Sequence, residues 1–122
     1  MKLTKEQKRL KRHSRIRKKI SGTPTKPRLC IYRGLNAFYA SLVDDTTGKT
    51  ILTVSSISKE QVEATGKRGG KSTETVKKVA EILVQKAKEK GIENAVFDRS
   101  GYLYHGKIKA FAEKCRELGL IN

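Results

Sequence analysis

The first 28 residues carry 12 basic side chains against one acidic side chain, Glu6, and this block limits what the rest of the chain can become. A segment so charged cannot enter a hydrophobic core, so the core must be built from the residues beyond it. Pro24 and Pro27 in Ser21-Gly22-Thr23-Pro24-Thr25-Lys26-Pro27 restrict the residues before them to extended backbone and break any helix there. The expected organisation is a basic N-terminal extension over residues 1–27 and one globular domain over residues 28–122, because 122 residues suit a single modest core.

The whole chain has 28 Lys and Arg against 12 Asp and Glu, a net charge of +16, of which the first 28 residues hold +11. Solubility needs far less, so a polyanionic partner is the economical explanation. No stretch approaches the roughly 20 apolar residues of a transmembrane helix, and the extension lacks the Trp, Phe and Leu face of an interfacial helix. A secretory signal would turn apolar after its positive start, whereas here basic residues continue to Arg28. The expected partner is therefore nucleic acid rather than a membrane, in the cytoplasm. Cys30 and Cys115 sit in apolar patterns with no second cysteine or histidine at ligand spacing, and read as buried free thiols.

Within the extension, Thr4-Lys5-Glu6-Gln7 fits a capping box that starts a helix at Lys5. Its apolar residues are few, Leu10, Ile16 and Ile20, and its cations cover every side. Such a helix has no face to bury, and phosphate neutralisation would order it; a merely solvated charged face is the bland alternative. Beyond Pro27, Arg28 to Arg33 and Ala37 to Val43 read as a hairpin around Gly34-Leu35-Asn36, and Thr50 to Ser56 as a third strand after the turn Asp44-Asp45-Thr46-Thr47-Gly48. Ser72 can cap a helix to about Lys90 with Val76, Val79, Ala80, Leu83 and Ala87 on one stripe. Ala95-Val96-Phe97 suits a buried strand, and Ile108, Phe111, Ala112 and Cys115 mark a last helix stopped by Gly119. The predicted fold is α/β (α+β) in the order βββαβα: three antiparallel strands plus one parallel strand, two packed helices, and a partly helical basic tail in front.

Motifs for chemistry fail on spacing. Gly70-Lys71-Ser72 resembles the end of a phosphate-binding P-loop, but the required earlier glycine is Thr65, with Gly66 one place too late. The loop with Lys67, Arg68 and Lys71 either brings backbone to an RNA phosphate, as a secondary contact, or is a solvated connection. The stretch from Arg33 to Ala40 superficially resembles the aromatic strand of RNA-recognition modules, yet Leu35 and Ala37 stand where rings belong. With few aromatics, the chain is poorly equipped to stack a run of bases, and recognition of folded RNA by shape and backbone fits better. Neither His13 nor His105 has a convergent set of catalytic partners in sequence. No cofactor, metal or small-molecule substrate is expected, and the chain reads as a non-enzyme.

Lys26-Pro27-Arg28-Leu29, Tyr32-Arg33, Tyr39-Ala40 and the block Asp98-Arg99-Ser100-Gly101-Tyr102-Leu103-Tyr104-His105-Gly106-Lys107 resemble the bacterial large-subunit ribosomal protein L-eighteen family over nearly the whole chain. The resemblance implies binding to 5S rRNA, attachment of that RNA to 23S rRNA in the central protuberance, and contact with neighbouring large-subunit proteins. It implies RNA contacts from the tail and first hairpin: Arg9, Arg12, Arg15, Arg17, Lys18, Lys19, Lys26, Arg28, Arg33 and Asn36. Arg99, Tyr102, Tyr104, His105 and Lys107 of the late block offer further donors and rings, while Tyr102 and Tyr104 could equally pack over the core. The family commonly has a second glycine after its Asp-Arg pair, where this chain has Ser100, so the local loop conformation is the open point. The alternatives are a basic RNA chaperone without selectivity and a small nucleotide-dependent enzyme.

Overall fold

The structure, a computed structural model, describes residues 2–34, 37–57 and 73–121. Asn36, the basic loop with Lys67, Arg68 and Lys71, and the Ser72 cap lie outside the described residues. The elements are α1 (Lys5–Arg17), β1 (Arg28–Arg33), β2 (Phe38–Asp44), β3 (Lys49–Ser55), α2 (Thr73–Glu89), β4 (Val96–Asp98) and α3 (Lys107–Glu117). One four-stranded sheet runs in the order β3-β2-β1-β4. Its first three strands are antiparallel neighbours and β4 lies parallel to β1, so the βββαβα expectation holds.

Strand alternation explains the layering. In β2, Phe38, Ala40 and Leu42 are buried while Tyr39, Ser41 and Val43 on the opposite face are half-buried. Leu29 and Ile31 of β1 and Val54 of β3 join the same buried face. Against it pack Val76, Val79, Ala80 and Leu83 of α2 and Ile108, Phe111 and Cys115 of α3, the stripes read from helical spacing. Phe38 and Phe111 meet with ring centroids 5.1 Å apart, a tilted pair at the centre. Each such fully buried side chain contributes about 1.5–3 kcal/mol. Both helices end in paired reverse hydrogen bonds, Ile92 N–H to Ala87 and Leu120 N–H to Cys115.

Cys30 departs from expectation. The same alternation that sends Leu29 and Ile31 inward leaves Cys30 half-buried on the outer face, where its thiol donates to the Ser41 carbonyl at 3.7 Å. Cys115 is fully buried, and burial pushes its thiol up to about 12, so it is inert near neutral pH. No helix among the described residues is long and apolar enough to cross a membrane.

The loop from β4 to α3 resolves the question at Ser100. This residue has φ +57°, a left-handed conformation that suits glycine. The serine has a compensating use: β4 ends opposite Cys30, and the Ser100 hydroxyl accepts the next ladder proton, from the buried Ile31 N–H, at 3.2 Å. Ser100→Ala keeps the strained φ and orphans that amide, which costs about 1–3 kcal/mol. Ser100→Gly orphans the same amide but recovers about 1–2 kcal/mol of backbone strain, so urea midpoints should fall in the order wild type, then Gly, then Ala.

Candidate nucleic-acid interface

The polar centre of the molecule is the carboxylate of Asp98, fully buried at the end of β4. It accepts from Arg28 Nη1 at 2.7 Å and from the Ser100 backbone N–H at 2.8 Å, and its Oδ2 lies 3.0 Å from His13 Nε2 of α1. A buried carboxylate without partners would be prohibitively costly, so these contacts are required by its position. Arg28 also pairs with Asp45 at 3.0 Å, and Asp45 takes the Gly22 N–H at 2.6 Å and lies 3.4 Å from Arg17 Nη2. One ionic chain thus joins α1, the Pro-rich connection, β1, the β2–β3 turn and β4.

A second set of contacts fastens the front of α1. Arg9 donates to the Ser100 carbonyl at 2.8 Å and Arg12 to the Gly101 carbonyl at 2.7 Å. Gly101, at φ +81°, lies so close to the helix that a Cβ there would collide with the Arg9 carbonyl oxygen. The guanidinium of Arg9 sits 4.8 Å from the centre of the Tyr102 ring, and Arg33 lies 5.9 Å from the same ring. The Tyr102 hydroxyl accepts the Arg33 backbone N–H at 3.0 Å, while its ring packs against the core cluster. Tyr102 is thus a packing residue, and its side chain also sets the spacing of two cations.

Helix α1 begins at the Thr4–Gln7 capping box as expected and buries no residue. The structure nevertheless holds it against the domain, where the sequence offered nothing to hold it. The reason is that three of its arginines and His13 find carbonyls and carboxylates that belong to remote parts of the chain. Spacing could not signal this, since His13 and Asp98 are 85 positions apart and Arg28 and Asp98 are 70 apart.

The residues singled out in the sequence fall into two groups. Arg9, Arg17 and Arg28 point inward and spend their guanidiniums on protein acceptors; Arg28 is only 11% exposed. Lys18, Lys19, Arg15, Lys26, Arg33 and His105 are exposed and Lys107 is half-exposed; Arg12 and Arg99 are intermediate in both respects, half-exposed while each donates to a loop carbonyl, Arg12 Nε to Gly101 and Arg99 Nη1 to Tyr102 at 2.8 Å. With Lys5, Lys8 and Lys11 they form a cationic surface along α1 and the β4–α3 loop, and among the described residues Lys5, Lys8, Lys11, Arg15, Lys18 and Lys19 pair with no carboxylate. Five of the acids sit on α2 and α3, where Lys78–Glu81, Lys109–Glu113 and Lys114–Glu81 pair and offset part of the positive charge of those helices. A groove of about 350 Å³ opens between α1 and the loop, lined by Lys5, Arg9, Arg12, Arg33, Tyr102 and His105 among others. Among the described residues no cluster of His, Cys, Asp and Glu could hold a metal ion.

Two aspartates in the β2–β3 turn also differ in role. Asp44 caps the turn: the Thr46 hydroxyl at 2.6 Å, the Thr46 N–H and the Thr47 hydroxyl hold its carboxyl below the usual value. Burial alone would raise Asp45, but hydrogen bonds from Arg28 and Gly22 and the charges of Arg28 and Arg17 outweigh it and lower its carboxyl too. Asp45 lies in the turn as expected and is also a member of the ionic chain. Both groups are depressed in the folded state, so their stabilisation is complete above the unfolded value of about 3.9 and is lost as pH falls through the folded values. Stability measured from pH 5 down to pH 2 should therefore decline, and Asp45→Asn should flatten part of that acid limb. Asp98→Ala leaves Arg28 and His13 without their shared acceptor; a loss of about 3–5 kcal/mol is expected, with faster hydrogen exchange along α1.

The family model for ribosomal L18 of archaea, bacteria, mitochondria and chloroplasts matches residues 3–121. A large ribosomal subunit protein uL18 of Hydrogenobaculum sp. (strain Y04AAS1) is 82% identical over 122 residues, covering 100% of both chains. The protein of the same name from Aquifex pyrophilus is 59% identical over 117 residues, covering 96% of this chain and 94% of its own length. That of Heliobacterium modesticaldum is 50% identical over 119 residues, covering 98% and 96%. The fold, the basic surface and these matches over the full length agree: the chain belongs to the ribosomal L18 family, whose members are ribosomal proteins and not enzymes.

Proposed function

We propose that this protein binds 5S rRNA and helps attach it to 23S rRNA in the central protuberance, as a structural constituent of the large ribosomal subunit. The coarser role, a large-subunit ribosomal protein, follows from its family. The observation that best supports the finer one is the segregation of charge. The cationic surplus is densest on α1, where seven Lys and Arg face the single acid Glu6, while α2 and α3 together carry eight Lys and Arg against five Glu, with Lys78, Lys109 and Lys114 paired.

Within that surface we assign phosphate contacts to Arg12, Arg15, Lys18, Lys19, Lys26, Arg33, Arg99 and Lys107, with His105 and the exposed Tyr104 beside them. Arg9, Arg17, Arg28 and Tyr102 act one step back, holding the groove in shape. We retain residues 1–27 as an RNA-binding extension and 28–122 as the folding unit; the Arg28 pairs with Asp45 and Asp98 lie wholly within the latter. Phosphate contacts supply affinity and orientation, and the preformed shape supplies selectivity for one folded RNA.

A competition titration at about 150 mM salt should show preference for 5S rRNA over transfer RNA and over a plain hairpin of similar charge. Equal affinity for all three would favour the alternative, a basic RNA chaperone that acts by charge alone. Arg15→Ala and Lys19→Ala should each lower affinity and reduce the salt slope by about one. Arg28→Ala should instead lower thermal stability.

A further inference from the structure

A second crevice lies on the same side of the molecule, beyond the last turn of α1. Its volume is about 330 Å³, at the lower end of the roughly 300–1,000 Å³ typical of small-molecule sites. Ile16, Ile20, Phe97 and Tyr104 form its apolar walls, and Lys19 and Arg99 stand over them as cations. The three inner walls, Ile16, Ile20 and Phe97, are half-buried, and Tyr104 is 42% exposed, so the crevice is open.

The crevice is also built firmly. Ile20 N–H bonds back to the Ile16 carbonyl at 3.1 Å, continuing the helical turn, and Arg17 clamps the Ile20 carbonyl at 2.6 Å while also reaching Asp45. Phe97 is fixed by its contact with Phe111, ring centroids 6.5 Å apart. Arg116 lies 3.4 Å from the Tyr104 hydroxyl. Immediately alongside, Arg12, Arg15, Ile16, Lys19 and Arg99 line a slightly smaller cleft of about 300 Å³ that shares three residues with the crevice.

We propose that this crevice receives one unstacked nucleobase of the bound RNA, with the flanking phosphates seated on Arg15, Lys19 and Arg99. This rests on the RNA-binding function proposed above. The charge complementarity decides the occupant: an apolar slot walled by two aromatic rings accepts the π-face of a base, and the cations at its mouth accept the phosphates that a nucleotide carries and an apolar peptide lacks. A single base site is also what the composition allows, since seven aromatic residues cannot stack a run of bases.

The test uses the full chain and 5S rRNA, with Tyr104→Phe, Tyr104→Leu and Tyr104→Ala compared for affinity, salt slope and base-specific chemical reactivity of the RNA. Tyr104 is exposed, so the variants should keep the wild-type thermal midpoint, and Phe should bind as wild type. Leu and Ala should weaken binding about tenfold with the salt slope unchanged, because no phosphate contact is lost. One nucleotide protected by the wild-type protein should become reactive again in the Ala complex. If wild type prefers 5S rRNA and the Ala variant binds it equally well with an identical protection pattern, the base site is wrong while the RNA-binding function stands. Loss of retention in large subunits with unaltered RNA affinity would likewise overturn it, in favour of an apolar segment of a neighbouring protein. Absence of 5S preference in the wild type would instead sink the function itself.

Discussion

The buried carboxylate of Asp98 is the contact on which the arrangement of this molecule depends. A charge with no exposure to water must be fully paired, and its partners come from three places: Arg28 at the start of β1, the Ser100 amide in the next loop, and His13 on α1. Parallel pairing of β4 with β1 sets Asp98 level with Cys30, on the sheet face opposite the core. That register points the carboxylate toward the basic helix. Together with the Arg9 and Arg12 bonds to the Ser100 and Gly101 carbonyls, it holds a helix that buries no residue of its own.

The consequence is a division among the cations. Arg9, Arg12 and Arg17 turn toward carbonyls and carboxylates, while the lysines of α1 and Arg15 remain directed at solvent. Arginine suits the inward role because its planar fork can satisfy two acceptors at once and tolerates partial dehydration better than an ammonium group. Arg28 bridges Asp45 and Asp98 in this way. The arginines therefore build the surface on which the remaining cations are displayed, in a chain of charge +16.

The two aromatic sites illustrate how one residue type serves both purposes. Tyr102 packs its ring on the core cluster and receives the Arg33 amide, so it aligns cations. Tyr104, two positions later, has its ring at the rim of an apolar crevice. In the sequence these tyrosines were indistinguishable between packing and binding. The turn at Ser100 and Gly101, with both residues at positive φ, separates them by steering the first inward and leaving the second outside.

Local order was legible in the sequence. The capping box at Thr4, the strand alternation through Phe38, Ala40 and Leu42, and the helical stripes from Val76 and Ile108 each depend on neighbours within a few residues, and each appears as read. The net charge and its crowding into the first 28 residues likewise fixed the chemistry of the partner surface. Which cations would face that partner was decided by tertiary structure alone. Arg9, Arg17 and Arg28 look the same in sequence as Arg15 and Lys19, and the outward face of Cys30 follows from sheet pairing. The acceptors that sort them, Asp45, Asp98, Ser100 and Gly101, lie up to 91 positions away, and Coulomb and hydrogen-bond energies act over a few ångströms of space however far apart the residues are in the chain.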